Sequence, residues 1–270
     1  MPQLVVFTDL DGTLLDAKTY AFDAAREALD LLRARRVPFI FVSSKTRAEI
    51  EPLRDRLRNA DPFATENGGG IFIPRSYFDF PLEGTVIRGP YQVIELGLPY
   101  SALQLALREI AYALNCRIRG FGDMSTEEVA ERMGVPLADA QLAKQREYDE
   151  PFVIESGHFS LDGFARAAEA RGLRCTSGGR FHHLMGPSDK GLACRQLIEF
   201  YRRRCGALTT VAIGDSLNDL PMLASVDRPV LVQRADGTYD PGVRLPNLVR
   251  APGIGSLGWS RAVLDLRETI

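Results

Sequence analysis

Short apolar runs, each closed by small or acidic residues, alternate with helical periodicity at both ends of this chain. Leu4-Val5-Val6-Phe7, Phe39-Ile40-Phe41-Val42 and Thr210-Val211-Ala212-Ile213 show no polar alternation, the mark of strands buried on both faces of a parallel sheet. After the first run, Ala25, Ala28, Leu29 and Leu32 recur at helical spacing and predict a helix over 21–35. Thr46-Arg47-Ala48-Glu49 has the form of a capping box, opening a helix that turns Ile50, Leu53 and Leu57 inward. Thr65-Glu66-Asn67-Gly68-Gly69-Gly70 reads as a glycine-rich turn between short strands. A further helical pattern starts at Asp189-Lys190-Gly191, with Leu192, Leu197 and Ile198 on its apolar side. This alternation predicts an α/β fold with a doubly wound parallel sheet.

Between residues 82 and 185 the rhythm changes. Strands are expected at 85–88, 91–95, 116–119, 151–155, 173–177 and 180–184. Helices are expected near 101–114, 125–133, 136–144 and 160–171. Ser125-Thr126-Glu127-Glu128 is a second capping-box candidate, and Gly134 with Pro136 separates two short helices. The mixture reads as an α+β module (82–185) inserted into a core built from 1–81 and 186–270.

Composition narrows the function classes. The 270 residues are 45% hydrophobic and 25% charged, an ordinary globular balance. A formal charge of −2 announces no surface for nucleic acid. No stretch is long and apolar enough to span a membrane, and the first strand begins too near Met1 to leave room for a signal peptide. The cytoplasm is the expected compartment. Cys116, Cys175, Cys194 and Cys205 lack metal-ligand spacing and are expected to be reduced and buried. Lysine occurs only at 18, 45, 144 and 190. Nothing in the pattern sets an oligomeric state.

The chemistry lies where the apolar runs end. Asp9 and Asp11 close the first strand, and Gly12-Thr13 supplies a turn. Two carboxylates at the end of a buried strand are costly unless a metal or a reaction uses them. Open α/β sheets bind ligands at the carboxyl ends of their strands. There one aspartate can attack a phosphoryl group, its neighbour can move protons, and both can help hold a divalent cation. Ser43 ends the second strand, Lys190 opens a helix, and Asp215, Asn218 and Asp219 follow the strand at 210–213.

These four segments match, in identity and order, the motifs of the haloacid dehalogenase-like (HAD) superfamily, which the chain resembles. The resemblance implies that Asp9 is the nucleophile of an aspartyl-phosphate mechanism and Asp11 the general acid–base. Ser43 and Lys190 would bind phosphoryl oxygens. Asp9, Asp11, Asp215 and Asp219 would make up a Mg²⁺ site, with Asp219 orienting from behind and Asp11 lending its backbone carbonyl. Asn218 would reach the phosphate or hold Lys190. The inserted module would be a cap that closes over the site and excludes water. Asp16 reads as a turn residue, Ser44 as a helix cap, and Lys45 stays open between a site and a surface role.

Four further segments, 43–49, 62–68, 146–152 and 178–184, are similar to the mannosyl-3-phosphoglycerate phosphatase family. That resemblance implies hydrolysis of mannosyl-3-phosphoglycerate, a small phosphorylated sugar, to mannosylglycerate and phosphate. An arginine such as Arg180 or Arg146 would grip the substrate carboxylate. Glu66, Asn67, Glu147 and Asp149 would meet sugar hydroxyls. His182 and His183 alternate along a strand, so at most one faces a cleft, and His182 is counted with the substrate-binding set. The rival readings are a glucosyl-3-phosphoglycerate or broader sugar-phosphate phosphatase, a phosphomutase, and an inactive binding protein.

Overall fold

The computed structural model describes residues 3–157, 160–178 and 181–267. From the start of the chain the elements are β1 (Gln3–Thr8), α1 (Arg26–Ala34), β2 (Phe39–Val42), α2 (Arg47–Leu57), β3 (Phe63–Thr65) and β4 (Gly70–Pro74). The middle holds β5 (Val86–Arg88), β6 (Tyr91–Glu95), α3 (Tyr100–Ala113), β7 (Arg117–Gly120), α4 (Thr126–Met133) and α5 (Leu137–Ala143). There follow β8 (Asp149–Ser156), α6 (Leu161–Glu169), β9 (Arg174–Gly178) and β10 (Phe181–Met185). The last part is α7 (Lys190–Cys205), β11 (Leu208–Gly214), α8 (Leu220–Leu223), β12 (Arg228–Gln233), β13 (Val249–Ile254) and α9 (Ser256–Leu264).

Nine strands form one sheet in the order β13-β12-β11-β1-β2-β3-β4-β6-β5. The run from β13 to β3 is parallel, with β1 between β11 and β2. Each buried strand sends alternate residues to opposite faces. Leu4 and Val6 pack with α1, α2 and α9, while Val5 and Phe7 pack with α7 and α8. The uniformly apolar runs therefore serve two cores at once. Both expected capping boxes are formed, by Thr46 with Glu49 and by Ser125 with Glu128.

The expected start of the inserted module at residue 82 needs correcting. β6 pairs antiparallel with β4, and β5 pairs with β6, so this hairpin extends the large sheet. The reason is apolar: Tyr91 packs edge-on against Phe63 and Phe72, at ring distances of 5.4 and 5.7 Å.

A second, antiparallel sheet has the order β7-β8-β10-β9. One face packs Phe152 and Leu184 against Leu103 and Leu107 of α3 and Phe164 of α6. On the other face Val153 and Phe181 meet Phe121, Val129 and Ala140, in the cluster of α4 and α5. That second face also looks toward the carboxyl ends of β1 and β11. Among the described residues no helix is long and apolar enough to cross a membrane. The cysteines are free, as expected, but only Cys194 is buried; the other three are partly exposed.

Candidate active site

β1 and β11 run side by side, and the pairing continues one residue past β1 through Asp9 N–H to the Ile213 carbonyl at 3.0 Å. Thr8 fixes the strand end. Its hydroxyl donates to the Asp9 carbonyl at 2.7 Å and accepts from Trp259 Nε1 at 2.9 Å. Gly12 then turns the chain at φ +80°, and a Cβ there would stand 2.9 Å from Asp215 Oδ2. The first acidic loop can sit against the second only because residue 12 has no side chain.

Lys190 enters from the opposite side, at the first turn of α7. Asp189 caps that helix by accepting from Leu192 N–H at 2.7 Å. Lys190 is 1% exposed. Its Nζ donates to Asp9 Oδ1 at 2.6 Å and to Asp219 Oδ1 at 2.7 Å. The other oxygen of Asp219 accepts from the N–H groups of Asp215 and Ser216, at 2.9 and 3.2 Å. Asp219 thus binds the lysine with one oxygen and shapes its own loop with the other.

Burial dominates the electrostatics. It pushes the Asp9 carboxyl up to about 7, with Lys190 opposing the rise and Asp219 adding to it. Burial, followed by the nearby charges of Asp219 and Asp9, raises Asp215 to about 8. Burial acts to lower Lys190, but Asp219 and Asp9 outweigh it and hold the ammonium above its ordinary range. Three acids share one buried lysine, so the cluster suits further positive charge.

Asp9, Asp215 and Asp219 each offer a carboxylate oxygen, all within 4.8 Å of one another. Both oxygens of Asp219 already have protein partners. Oδ2 of Asp9 and Oδ2 of Asp215 accept no hydrogen bond from the described residues. An all-oxygen set with free positions fits Mg²⁺ and does not fit zinc. Asp11 stands apart from the trio, with its Oδ2 3.0 Å from Lys45 Nζ.

A cavity of about 500 Å³ opens above these groups. Asp9, Asp11, Asp215 and Asn218 line it from the large sheet, and Arg146 and His183 from the other side.

Residues 6–79 match the model of the haloacid dehalogenase-like hydrolase family. A glucosyl-3-phosphoglycerate/mannosyl-3-phosphoglycerate phosphatase of Methanococcoides burtonii is 47% identical over 97% of this chain and 96% of its own length. The chain belongs to the mannosyl-3-phosphoglycerate phosphatase family. Another relative, the mannosyl-3-phosphoglycerate phosphatase of Pyrococcus horikoshii, is 36% identical over 84% of this chain and 90% of its own. A crystal structure of a Thermoplasma acidophilum protein shares the fold, with a TM-score of 0.69 at 19% identity, covering 98% of both chains.

The motif residues of this phosphatase-family chain converge, but several of the outer residues do not stand where the sequence put them. Ser43 is buried, and its Oγ accepts from Lys45 N–H at 3.2 Å; Ser44, not Ser43, lines the cavity. Ser44 is no helix cap, since Thr46 caps α2. Glu66 does not line the cavity. It is fully buried, and its carboxylate accepts from the N–H groups of Glu147 and Tyr148 at 2.8–3.1 Å, joining the two sheets. Burial raises it to about 8. Asn67 does not line the cavity either, and donates to Asp149 Oδ2 at 2.9 Å.

Arg146 lines the cavity, with Nε bonded to the Ala143 carbonyl at 2.9 Å and Nη1 to the Ser44 carbonyl at 2.8 Å. Glu147 is held by Arg47 and Arg88. His182 points to the wrong side: its ring packs 5.4 Å from Phe152, on the face covered by α3 and α6. His183 is the histidine at the cavity. Arg180 lies outside the described residues. Asn218 reaches the cavity with its Oδ1 2.8 Å from Ser216 Oγ. Asp16 does act as a turn residue, accepting from Lys18 and Thr19 N–H.

Lys45 and Arg234 also line the cavity. Lys45 directly follows the strand-end serines, a position that could have promoted it. Arg234 follows β12 and carries no motif to find it by.

Proposed function

We propose that the protein is a Mg²⁺-dependent phosphatase that hydrolyses mannosyl-3-phosphoglycerate to mannosylglycerate and phosphate through an aspartyl-phosphate on Asp9. The observation that carries this reading is the convergence of Asp9, Lys190, Asp215 and Asp219 beneath one cavity, with a second sheet overhead. The names of the relatives at 47% and 36% identity support the substrate class.

Asp9 attacks phosphorus in line with the ester oxygen, which departs with a proton from Asp11. Water then attacks the acyl phosphate, Asp11 takes its proton, and phosphate leaves with Asp9 restored. Lys190 holds Asp9 in line and faces the growing negative charge as a point cation. Mg²⁺, held by Asp9 and Asp215 with Asp219 behind them, would draw charge from the phosphoryl oxygens. Arg146, which lines the cavity from the other side, would meet the glycerate carboxylate. The second sheet above the cavity would restrict access of water until the sugar product has gone. An aspartate at position 11 favours hydrolysis over storage of the intermediate. The cytoplasm is its expected compartment.

The double name of the M. burtonii relative favours a second reading, in which the glucosyl ester is also a substrate. Phosphate release with Mg²⁺ supplied, over mannosyl- and glucosyl-3-phosphoglycerate, sucrose phosphate and hexose phosphates, tests both. Preference for the two glycosyl-phosphoglycerates is expected. Equal turnover of plain hexose phosphates, or none of any ester, would contradict it.

A further inference from the structure

The second sheet sends one histidine into the cavity and holds it from behind. His183 is 6% exposed and lines the cavity. Its Nδ1 lies 2.8 Å from Asp149 Oδ2 and 3.1 Å from Oδ1. Asp149 is fully buried, and its Oδ2 also accepts from Asn67 Nδ2 at 2.9 Å. The Asn67 backbone N–H in turn donates to the Ser43 carbonyl at 2.9 Å, at the end of β2. A line of three side chains therefore runs from the loop beside the phosphate site, across the seam, to the cavity roof.

The chemistry of the pair fixes the tautomer. A carboxylate has no hydrogen to give, so the bonded Nδ1 carries the proton. In the neutral ring Nε2 is then a bare lone pair, and no hydrogen bond from a described residue ends on it. Lys45, Arg146 and Arg234, the cations lining the same cavity, are engaged elsewhere, by Asp11, by two carbonyls, and by Thr238, Asp236 and Asp240. What such an acceptor can recognise in a sugar ester is a hydroxyl.

We propose that His183 is a specificity determinant, accepting a hydrogen bond from a hydroxyl of the substrate beyond its phosphate. Asp149 and Asn67 are positioning residues that set its tautomer and tilt. This rests on the phosphatase reading, because the hydroxyl-bearing part of a sugar ester is what occupies that end of the cavity. It adds that sugar recognition in the roof is tied through Asn67 to the loop that shapes the phosphate site.

The sequence holds only three histidines, so ¹⁵N-histidine labelling gives a resolvable spectrum. The neutral His183 ring is expected as the Nδ1–H tautomer, with its Nε2 resonance moving when mannosylglycerate saturates the protein. Asp149→Asn should abolish that tautomer preference. His183→Phe should weaken mannosylglycerate binding about tenfold, the loss of one hydrogen bond. His183→Gln, which keeps an acceptor, should recover most of it. In turnover the loss should appear in KM more than in kcat, and more for the glycosylated ester than for a small phosphate ester without a sugar. An Nε2–H tautomer, an unmoved Nε2 at saturation, or binding by His183→Phe equal to the original would overturn the proposal. The tautomer is read without turnover. A protein with the expected tautomer that binds mannosylglycerate yet releases no phosphate would reject the phosphatase reading and leave this one standing.

Discussion

Buried and half-buried acids stand on both sides of the cavity, and they answer burial differently. Beneath it, Asp9 and Asp215 each keep an oxygen that accepts no hydrogen bond from the described residues, with one lysine among three carboxylates. At the seam above, both oxygens of Glu66 are taken by backbone N–H groups, and those of Asp149 by Asn67 and His183. Burial raises Asp9 to about 7 and Glu66 to about 8, so a shifted carboxyl does not separate a reacting acid from a structural one. Accounting for each oxygen does. The open oxygens of Asp9 and Asp215 leave positions for a ligand, and the filled ones of Glu66 and Asp149 hold the two sheets together.

That contrast can be broken, and the largest effect belongs beneath the cavity. Asp9→Asn should cut phosphate release by at least about a thousandfold while circular dichroism shows an intact fold. Appreciable turnover without deamidation would remove Asp9 from the chemistry. Lys190→Met should damage activity and folding together. It leaves Asp9 and Asp219 buried without their cation, a loss on the order of 3 kcal/mol in a denaturant titration. If only activity fell, the lysine would matter for substrate alone.

Gly12→Ala sharpens the same side. A Cβ at φ +80° and 2.9 Å from Asp215 Oδ2 should cost roughly 1–2 kcal/mol and weaken Mg²⁺ dependence, read by titrating the metal against phosphate release. At the seam, Glu66→Gln should chiefly change how stability varies with pH. The folded value of Glu66 is raised from 4.5 to about 8. The stability linked to its proton is therefore fully present below 4.5 and is lost as pH rises through about 8. Melting temperatures should show the original protein losing ground to Glu66→Gln over that window, and parallel curves would contradict the assignment. The smallest effect belongs to the surface. Arg26→Ala removes a pair with Asp23 in which both side chains are about two-thirds exposed, and should move stability by less than about 0.5 kcal/mol.

The lower half of the site was legible in the sequence for a physical reason. Asp9, Ser43 and Asp215 each follow an apolar run, and buried parallel strands aim their carboxyl ends at one edge. Lys190 was legible as the opening of a helix capped by Asp189. The roof was harder, because period-two patterns leave the facing side open until register is known. A shift of one residue separates His182, packed on Phe152, from His183 at the cavity. Glu66 and Asn67 read as ligand-binding because an acid and an amide in the segment 62–68, which resembles the phosphatase family, suit sugar hydroxyls. In fact both adopt positive φ, and their side chains turn to the seam. The strands at 85–88 and 91–95 were placed in the inserted module because strand pairing is set by partners such as Phe63 and Phe72, far away in sequence.

The claim on which the account turns is that Asp9 itself receives the phosphoryl group. Mixing enzyme with excess mannosyl-3-phosphoglycerate and Mg²⁺, quenching in acid within the first turnover and reducing with borohydride converts an acyl phosphate to homoserine, which peptide mass spectrometry locates. Homoserine at position 9, dependent on substrate and absent in Asp9→Asn, is the expected result. Phosphate released at full rate with position 9 unmodified, or the mark found on Asp11 instead, would contradict it.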